Sequence, residues 1–317
     1  MSEFAIYVNT SKRDYRLAKA LIASLKHYGD DPLIYVMPDD GYEHETIFGQ
    51  PVWHPKNPRV SELAHYYTSL RVFYGPAQRF LYLDADILAL RDIIPFLNHI
   101  KAQEPPFLLV NNQTHHAEQW ARQSAEEREE TYASWVGDPA RIATFDNAYN
   151  FHRRVPFNSG FFASTKDSID RKDLLETFRR ARSFNERQNS ERFTSSRKAL
   201  FMGDQGFLNY YADVCDIRLR WADDAYIWGG DPALFSGERD EDQPFAGMFV
   251  HWAGCPRPGP IPLRPGIPKA SEWRSFYWDY CREYGDWSGF GTDAAGYVLA
   301  DVIRRLSRLK ARISAAQ

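Results

Sequence analysis

Residues 4–37, "FAIYVNTSKRDYRLAKALIASLKHYGDDPLIYVM", decide the fold. An apolar run at 4–8 reads as a strand, and a second at 33–37 reads as another. Between them, Leu17, Leu21, Leu25 and Tyr28 recur at helical spacing and predict a helix over 13–28, closed by Gly29. Strand, helix, strand in that order predicts an α/β domain with a largely parallel sheet. Four more short apolar runs read as strands: "FLYL" (80–83), "FLLV" (107–110), "GFFAS" (160–164) and "GMFVHW" (247–252). In such sheets, ligands gather at the carboxyl ends of strands.

The chain has 317 residues with 44% hydrophobic content, enough for two domains or one large one. A net charge of −3 exerts no general pull on nucleic acid or anionic lipid. Glycine signatures of dinucleotide and P-loop binding are missing after the first strand. The N-terminus lacks a signal-peptide pattern, and no apolar run has the length of a membrane span. Cys215, Cys255 and Cys281 are scattered, which fits a reducing, cytoplasmic setting. There the acceptor-like "NQT" at Asn112 would be idle.

The polar stretches 115–135 and 183–198 read as a surface excursion and a loop. "CPRPGPIPLRPGIP" (255–268) holds six prolines and reads as a linker. It divides a body of residues 1–258 from a tail of 259–317. The tail is rich in Trp and Tyr, from Trp273 to Trp287, and ends in a basic amphipathic pattern over 298–313. Such a helix packs on the body, on a second copy, or against an anionic membrane surface.

"FLYLDADILAL" (80–90) sets two carboxylates, Asp84 and Asp86, beside a buried strand. Two neighbouring charges there need a counter-charge, and a divalent metal supplies one. Asp240-Glu241-Asp242 has similar spacing inside a charged run and reads as a solvated loop. His251 closes another apolar strand. Alone it reads as a core or rim histidine; with the two aspartates it completes an O,O,N set for Mn²⁺ or Mg²⁺. Arg257 follows six residues later, either as a surface residue or as a donor to a diphosphate. Asn158, Ser159 and Gly160 precede a strand and read as a turn or, through Asn158, as a polyhydroxyl contact. Asp204 and Gln205 open a helix and read as a cap or as a pair facing a site.

Taken in order, "LYLDADILAL", "FNSGFFAS", "GDQGFLN" and "HWAGCPRP", with the opening strand and helix, resemble a retaining glycosyltransferase family. That family includes glycogenin and the bacterial lipooligosaccharide galactosyltransferases, and the resemblance spans residues 4 to 258. It implies the GT-A fold, a Rossmann-like nucleotide-binding domain with a mostly parallel mixed sheet, here followed by a C-terminal helical extension. It also implies a nucleotide-sugar donor, usually UDP-linked, and Mn²⁺ on the diphosphate. Asp84, Asp86 and His251 would be the metal ligands, with Ala85 between the carboxylates. Arg257 would stand where relatives place a lysine on the diphosphate. Asn9, Thr10 and Tyr15 would line the base and ribose pocket. Asn158, Asp204 and Gln205 would face the transferred sugar, with Gln205 beneath the anomeric carbon.

Departures accompany the match. The loop after the first strand is a residue longer. Ser69 stands where relatives carry a basic donor contact; Arg71, two positions on, would take that donor-binding role. Asn111 and Asn112 end the "FLLV" strand where many relatives have an aspartate. The expected activity is metal-dependent, retaining transfer of a hexose to a glycan or lipid-linked acceptor, as in bacterial surface-glycan synthesis. Two other readings stand beside it: a sugar nucleotidyltransferase and a catalytically silent nucleotide-sugar or glycan binder.

Overall fold

The computed structural model describes residues 2–11, 14–39, 46–47, 49–63, 65–111, 114–150, 155–187, 200–222, 225–229, 244–260, 267, 269–285 and 302. Its strands are β1 (Phe4–Thr10), β2 (Ile34–Pro38), β3 (Thr46–Ile47), β4 (Gln50–Pro51), β5 (Arg79–Asp84), β6 (Ile87–Ala89), β7 (Leu108–Val110), β8 (Phe161–Thr165), β9 (Leu219–Trp221), β10 (Tyr226–Trp228) and β11 (Phe249–His251). Its helices are α1 (Tyr15–Gly29), α2 (Pro58–Ser61), α3 (Ile94–Ala102), α4 (Thr114–Arg122), α5 (Ala125–Trp135), α6 (Pro139–Phe145), α7 (Arg171–Arg187), α8 (Gly203–Val214) and α9 (Ala270–Glu283). A 3₁₀ segment, His65–Tyr74, leads into β5.

Six strands form the main sheet in the order β2-β1-β5-β8-β7-β9. All run parallel except β8, which pairs antiparallel with both β5 and β7. The strands read as unbroken apolar runs because both faces are covered. Period-2 alternation sorts their side chains. Ile6, Val8, Leu81, Leu83 and Phe161 face α1, α3 and α9. Tyr7, Phe80, Tyr82 and Phe162 face the 3₁₀ segment, α7 and α8.

A second sheet, β10-β11-β6, sits beside the first. The chain crosses from β5 into β6 through a turn at Ala85 and Asp86. The acidic pair therefore lies on the seam between the sheets. Strand β11 pairs antiparallel with β6, setting His251 opposite Ile87, and the Trp252 N–H donates to the Asp86 carbonyl at 3.0 Å. That pairing carries a histidine from far along the chain to the carboxylates.

Several local expectations shift. The first helix starts at Tyr15 rather than residue 13 and ends at Gly29 as expected, with Asp30 as its left-handed cap (φ 53°, ψ 56°). A Cβ at Gly29 would lie 3.0 Å from Ile93 Cδ1, so the end of the helix packs closely on that side chain. The "GMFVHW" strand shortens to Phe249–His251 and joins the second sheet, since Gly247 turns the chain at φ 65°. The excursion at 115–135 forms α4 and α5, anchored by buried Trp120 and Tyr132. Strands β9 and β10 are three residues each, too short for strand alternation to announce them.

Helix α9 packs along α1, and Trp273, Tyr277, Tyr280 and Cys281 join the core that holds β1. Cys215, Cys255 and Cys281 are all free thiols. No helix among the described residues is long and apolar enough to cross a membrane. Asn112, residues 188–199, Asp240 to Asp242, Trp287 and, apart from Val302, the tail over 298–313 lie outside the described residues.

Candidate functional site

Tyr82 and Asp84 alternate onto one face of β5. The Tyr82 hydroxyl donates to Asp84 Oδ1 at 2.8 Å. The Asp84 N–H donates to the Gly160 carbonyl at 2.8 Å, tying β5 to the turn before β8. On the other flank, Asn9 of β1 is the register partner of Asp84. The carboxyl ends of β1 and β5 thus meet at one place.

Asp84, Asp86 and His251 bring one ligand atom each to within 4.8 Å of one another. His251 is 1% exposed and Asp86 5%. His251 Nε2 lies 3.2 Å from Asp86 Oδ1, and among the described residues its Nδ1 has no hydrogen-bond partner. A buried imidazole left this way is costly. Two carboxylates and an imidazole are the donors that a hard to borderline divalent cation accepts, so these residues fit Mg²⁺ or Mn²⁺. Gly160 leaves no slack around them. A Cβ there would lie 2.5 Å from Asp84 Oδ2 and 2.9 Å from His251 Cε1.

The two carboxylates differ electrically. Burial, with the charges of Asp86 and Asp204, pushes the Asp84 carboxyl up to about 7. Burial also opposes ionisation of Asp86, but His251 and Arg257 outweigh it and hold Asp86 at about 2. Arg257 spans two acids, with Nη2 2.8 Å from Asp86 Oδ2 and Nη1 2.8 Å from Asp14 Oδ1. Asp14 also accepts from the Ser11 hydroxyl at 3.1 Å. It therefore couples the loop after β1 to the loop after β11.

A polar cluster adjoins the acidic one. Asn158 Oδ1 accepts from the Gly160 N–H at 2.7 Å, closing the turn that abuts Asp84. The Ser159 hydroxyl donates to Asp204 Oδ1 at 3.1 Å. Burial raises the Asp204 carboxyl, against hydrogen bonds from Ser69, Ser159 and the Gln205 N–H. Asp204 sits in the first turn of α8, whose cap is Met202, so it does not cap the helix. Gln205 Nε2 donates to the Trp135 carbonyl at 2.9 Å. Asn209 fixes the approach to the turn, accepting from the Phe157 N–H at 2.9 Å and donating to its carbonyl at 2.8 Å.

The structure thus gathers Asp84, Asp86, His251 and Arg257, and joins Asn158 and Asp204 to them through Ser159 and Gly160. Asn9 and Thr10 end β1 beside them, and Tyr15 opens α1. Ala85 turns its side chain into the core and leaves only backbone to the site. Arg71 does not join the cluster: its Nη2 donates to the Ser61 carbonyl at 3.3 Å, and its nearest countercharge is Asp39. Ser69 and Arg71 lie two apart on a 3₁₀ segment, where each residue turns about 120°, so the two side chains diverge. Asn111 Oδ1 accepts from the Tyr226 N–H at 2.9 Å, linking β7 to the start of β10. Two residues of this region, Tyr82 and Asp14, carry no site role in the sequence alone. Tyr82 is reachable by counting back two from Asp84. Asp14 carries no local signal for a partner 243 residues away.

No family model and no curated protein matches this chain. Solved structures do. The galactosyltransferase LgtC, in complex with donor and acceptor sugar analogues, is 13% identical with a TM-score of 0.52, over 87% of this chain and 95% of that one. An active-site mutant of LgtC is 12% identical with a TM-score of 0.53 over the same shares. The bifunctional glycosyltransferase WbbM, in its apo structure, is 10% identical with a TM-score of 0.51, over 87% of this chain and 50% of that one. The chain has the GT-A fold of these glycosyltransferases.

Proposed function

We propose that this chain is a metal-dependent, retaining hexosyltransferase that moves a sugar from a nucleotide donor, a UDP-sugar, to a glycan or lipid-linked acceptor. The observation that carries the reading is the Asp84–Asp86–His251 cluster, two carboxylates and a buried imidazole converging at the carboxyl end of β5 in a GT-A fold. LgtC, solved with donor and acceptor sugar analogues, supports both partners by its fold alone.

In this reading Asp84, Asp86 and His251 hold Mn²⁺ or Mg²⁺. The bound cation supplies Lewis-acid neutralisation of the donor diphosphate. Arg257 adds a fixed positive charge where negative charge grows on the departing diphosphate. Asn9, Thr10 and Tyr15 line the nucleoside pocket, and Asn158, Asp204 and Gln205 face the transferred sugar. The acceptor hydroxyl attacks the anomeric carbon from the leaving-group face. The bond from that carbon to the phosphate oxygen breaks, its electron pair stays on the oxygen, and that oxygen takes the acceptor proton. Gln205 holds the Trp135 carbonyl and is a poor nucleophile, which favours this route over a covalent step. Residues 1–258 carry the chemistry in a cytoplasmic protein. Residues 259–317 form the tail, whose last helix serves self-association or peripheral contact with the inner membrane face.

A donor panel tests the reading. Nucleotide release from one nucleotide sugar, dependent on Mn²⁺ or Mg²⁺ and lost in Asp86→Ala with the fold intact, is the expected result. Binding of a nucleotide sugar without turnover across a wide acceptor panel would instead make the chain a binder.

A further inference from the structure

Trp252 and Trp273 are fully buried, whereas Trp228 is 46% exposed. Its position makes that exposure informative. Trp228 is the register partner of His251 across the parallel pair β10–β11. Directly paired residues leave a sheet on the same face, about 4.8 Å apart. Two neighbours agree on which face this is. Tyr226, two residues before Trp228, sets its ring edge-on to the His251 ring at 5.1 Å. Ala253, two residues after His251, accepts a hydrogen bond from Trp228 Nε1 at 2.7 Å. Trp228 therefore rises beside the third ligand of the candidate metal site. Its polar edge is satisfied and anchored to the loop that leads to Arg257.

We propose that Trp228 is the floor of an acceptor subsite, a stacking surface for a pyranose ring of the saccharide that receives the transferred hexose. The proposal rests on the transferase reading. An acceptor hydroxyl must reach an anomeric carbon whose diphosphate sits on the metal, so the acceptor ring lies within a few ångströms of the ligands. One strand from His251 is that distance. A pyranose has a face of C–H groups and an equator of hydroxyls, and an indole plane fits that face without competing for the hydroxyls. Because the Nε1–H is already bonded, the ring is held in place before an acceptor arrives, which limits the ordering cost of binding.

Trp221 supplies the control. It is 40% exposed but ends β9, the edge strand of the main sheet, three strands from Asp84. The experiment titrates lactose, maltose, cellobiose and N-acetylglucosamine into ¹⁵N-labelled protein and follows the indole N–H signals, that of Trp228 assigned by its loss in Trp228→Phe. At least one saccharide should shift the Trp228 signal saturably and leave that of Trp221 in place. Trp228→Ala should weaken that saccharide about tenfold, Trp228→Phe less, and Trp221→Ala not at all. Calorimetry of UDP with Mn²⁺ on the same proteins separates the two claims. Protein that binds UDP but shows no Trp228 response to any saccharide overturns the subsite. So does equal weakening by Trp221→Ala, or a Trp228 shift that follows protein concentration, which would mark a contact with a second copy. A saccharide response in protein that binds no UDP would leave the stacking surface standing and overturn the transferase reading.

Discussion

The acidic seam and the polar turn beside it are built oppositely. At the seam, Asp84 and Asp86 crowd His251, whose Nε2 faces Asp86 and whose Nδ1 has no hydrogen-bond partner among the described residues. At the turn, Asn158, Ser159, Asp204 and Gln205 each have a hydrogen-bond partner within the protein. Unsatisfied buried groups are an energetic cost that a bound cation relieves; satisfied ones hold a surface in shape before a ligand comes. The first region is therefore the part of the site that needs its ligand, and the second is the part that positions one. Substitutions should separate them, with binding lost at the seam and shape lost at the turn.

The largest effect is expected from Asp86→Ala, which removes a candidate metal ligand and the countercharge of Arg257. Metal-dependent transfer should fall by well over ~100-fold with an unchanged circular dichroism spectrum. Retained transfer would move the metal elsewhere. Next comes Gly160→Ala, at the hinge between the two regions. Its Cβ would strike Asp84 Oδ2, Asn158 Oδ1 and the His251 ring at once. We expect Mn²⁺ affinity to fall by about 10–100-fold and stability by ~1–3 kcal/mol, read by calorimetry and thermal melts.

Asp84→Asn sharpens the contrast through pH. The Asp84 carboxyl stands at about 7 in the folded chain and lower when unfolded. Between those values the folded state holds a proton that the unfolded state has released. Its contribution to stability is full below the unfolded pKa and is lost as pH rises through about 7. Melts in chelator should therefore show Asp84→Asn more stable than wild type above pH 7, with the gap closing toward pH 4. Asp86, held at about 2, works in the opposite sense: its stabilisation weakens only as pH falls from the ordinary carboxylate range toward 2. Wild-type Mn²⁺ affinity should fall about tenfold per pH unit below 7, because a proton then competes for Asp84. The smallest effect belongs to the turn. Gln205→Ala removes one hydrogen bond, to the Trp135 carbonyl, and should cost ~1 kcal/mol of stability while leaving Mn²⁺ affinity unchanged.

The same contrast explains what the amino-acid sequence disclosed. Strand-helix-strand order at 4–37 was legible because helical and strand periods differ in kind. The acidic pair was legible because a charge beside "FLYL" breaks a pattern. The reversed direction of β8 was not, since five buried residues read alike in either direction. Strands β9 and β10 grade from more to less buried over three positions, too few for a period to appear. The Arg257 bridge to Asp14 depends on two loops meeting at the end of the fold. Arg71 was legible as a basic residue before β5, but its bond to the Ser61 carbonyl depends on how the 3₁₀ segment winds.

The most direct test is calorimetric titration of UDP into wild-type protein with Mn²⁺ and then with chelator. The account predicts micromolar binding with Mn²⁺ and loss of binding without it. Folded protein that binds UDP equally well in chelator, or not at all under either condition, would contradict the claim that Asp84, Asp86 and His251 hold a cation for a nucleotide donor.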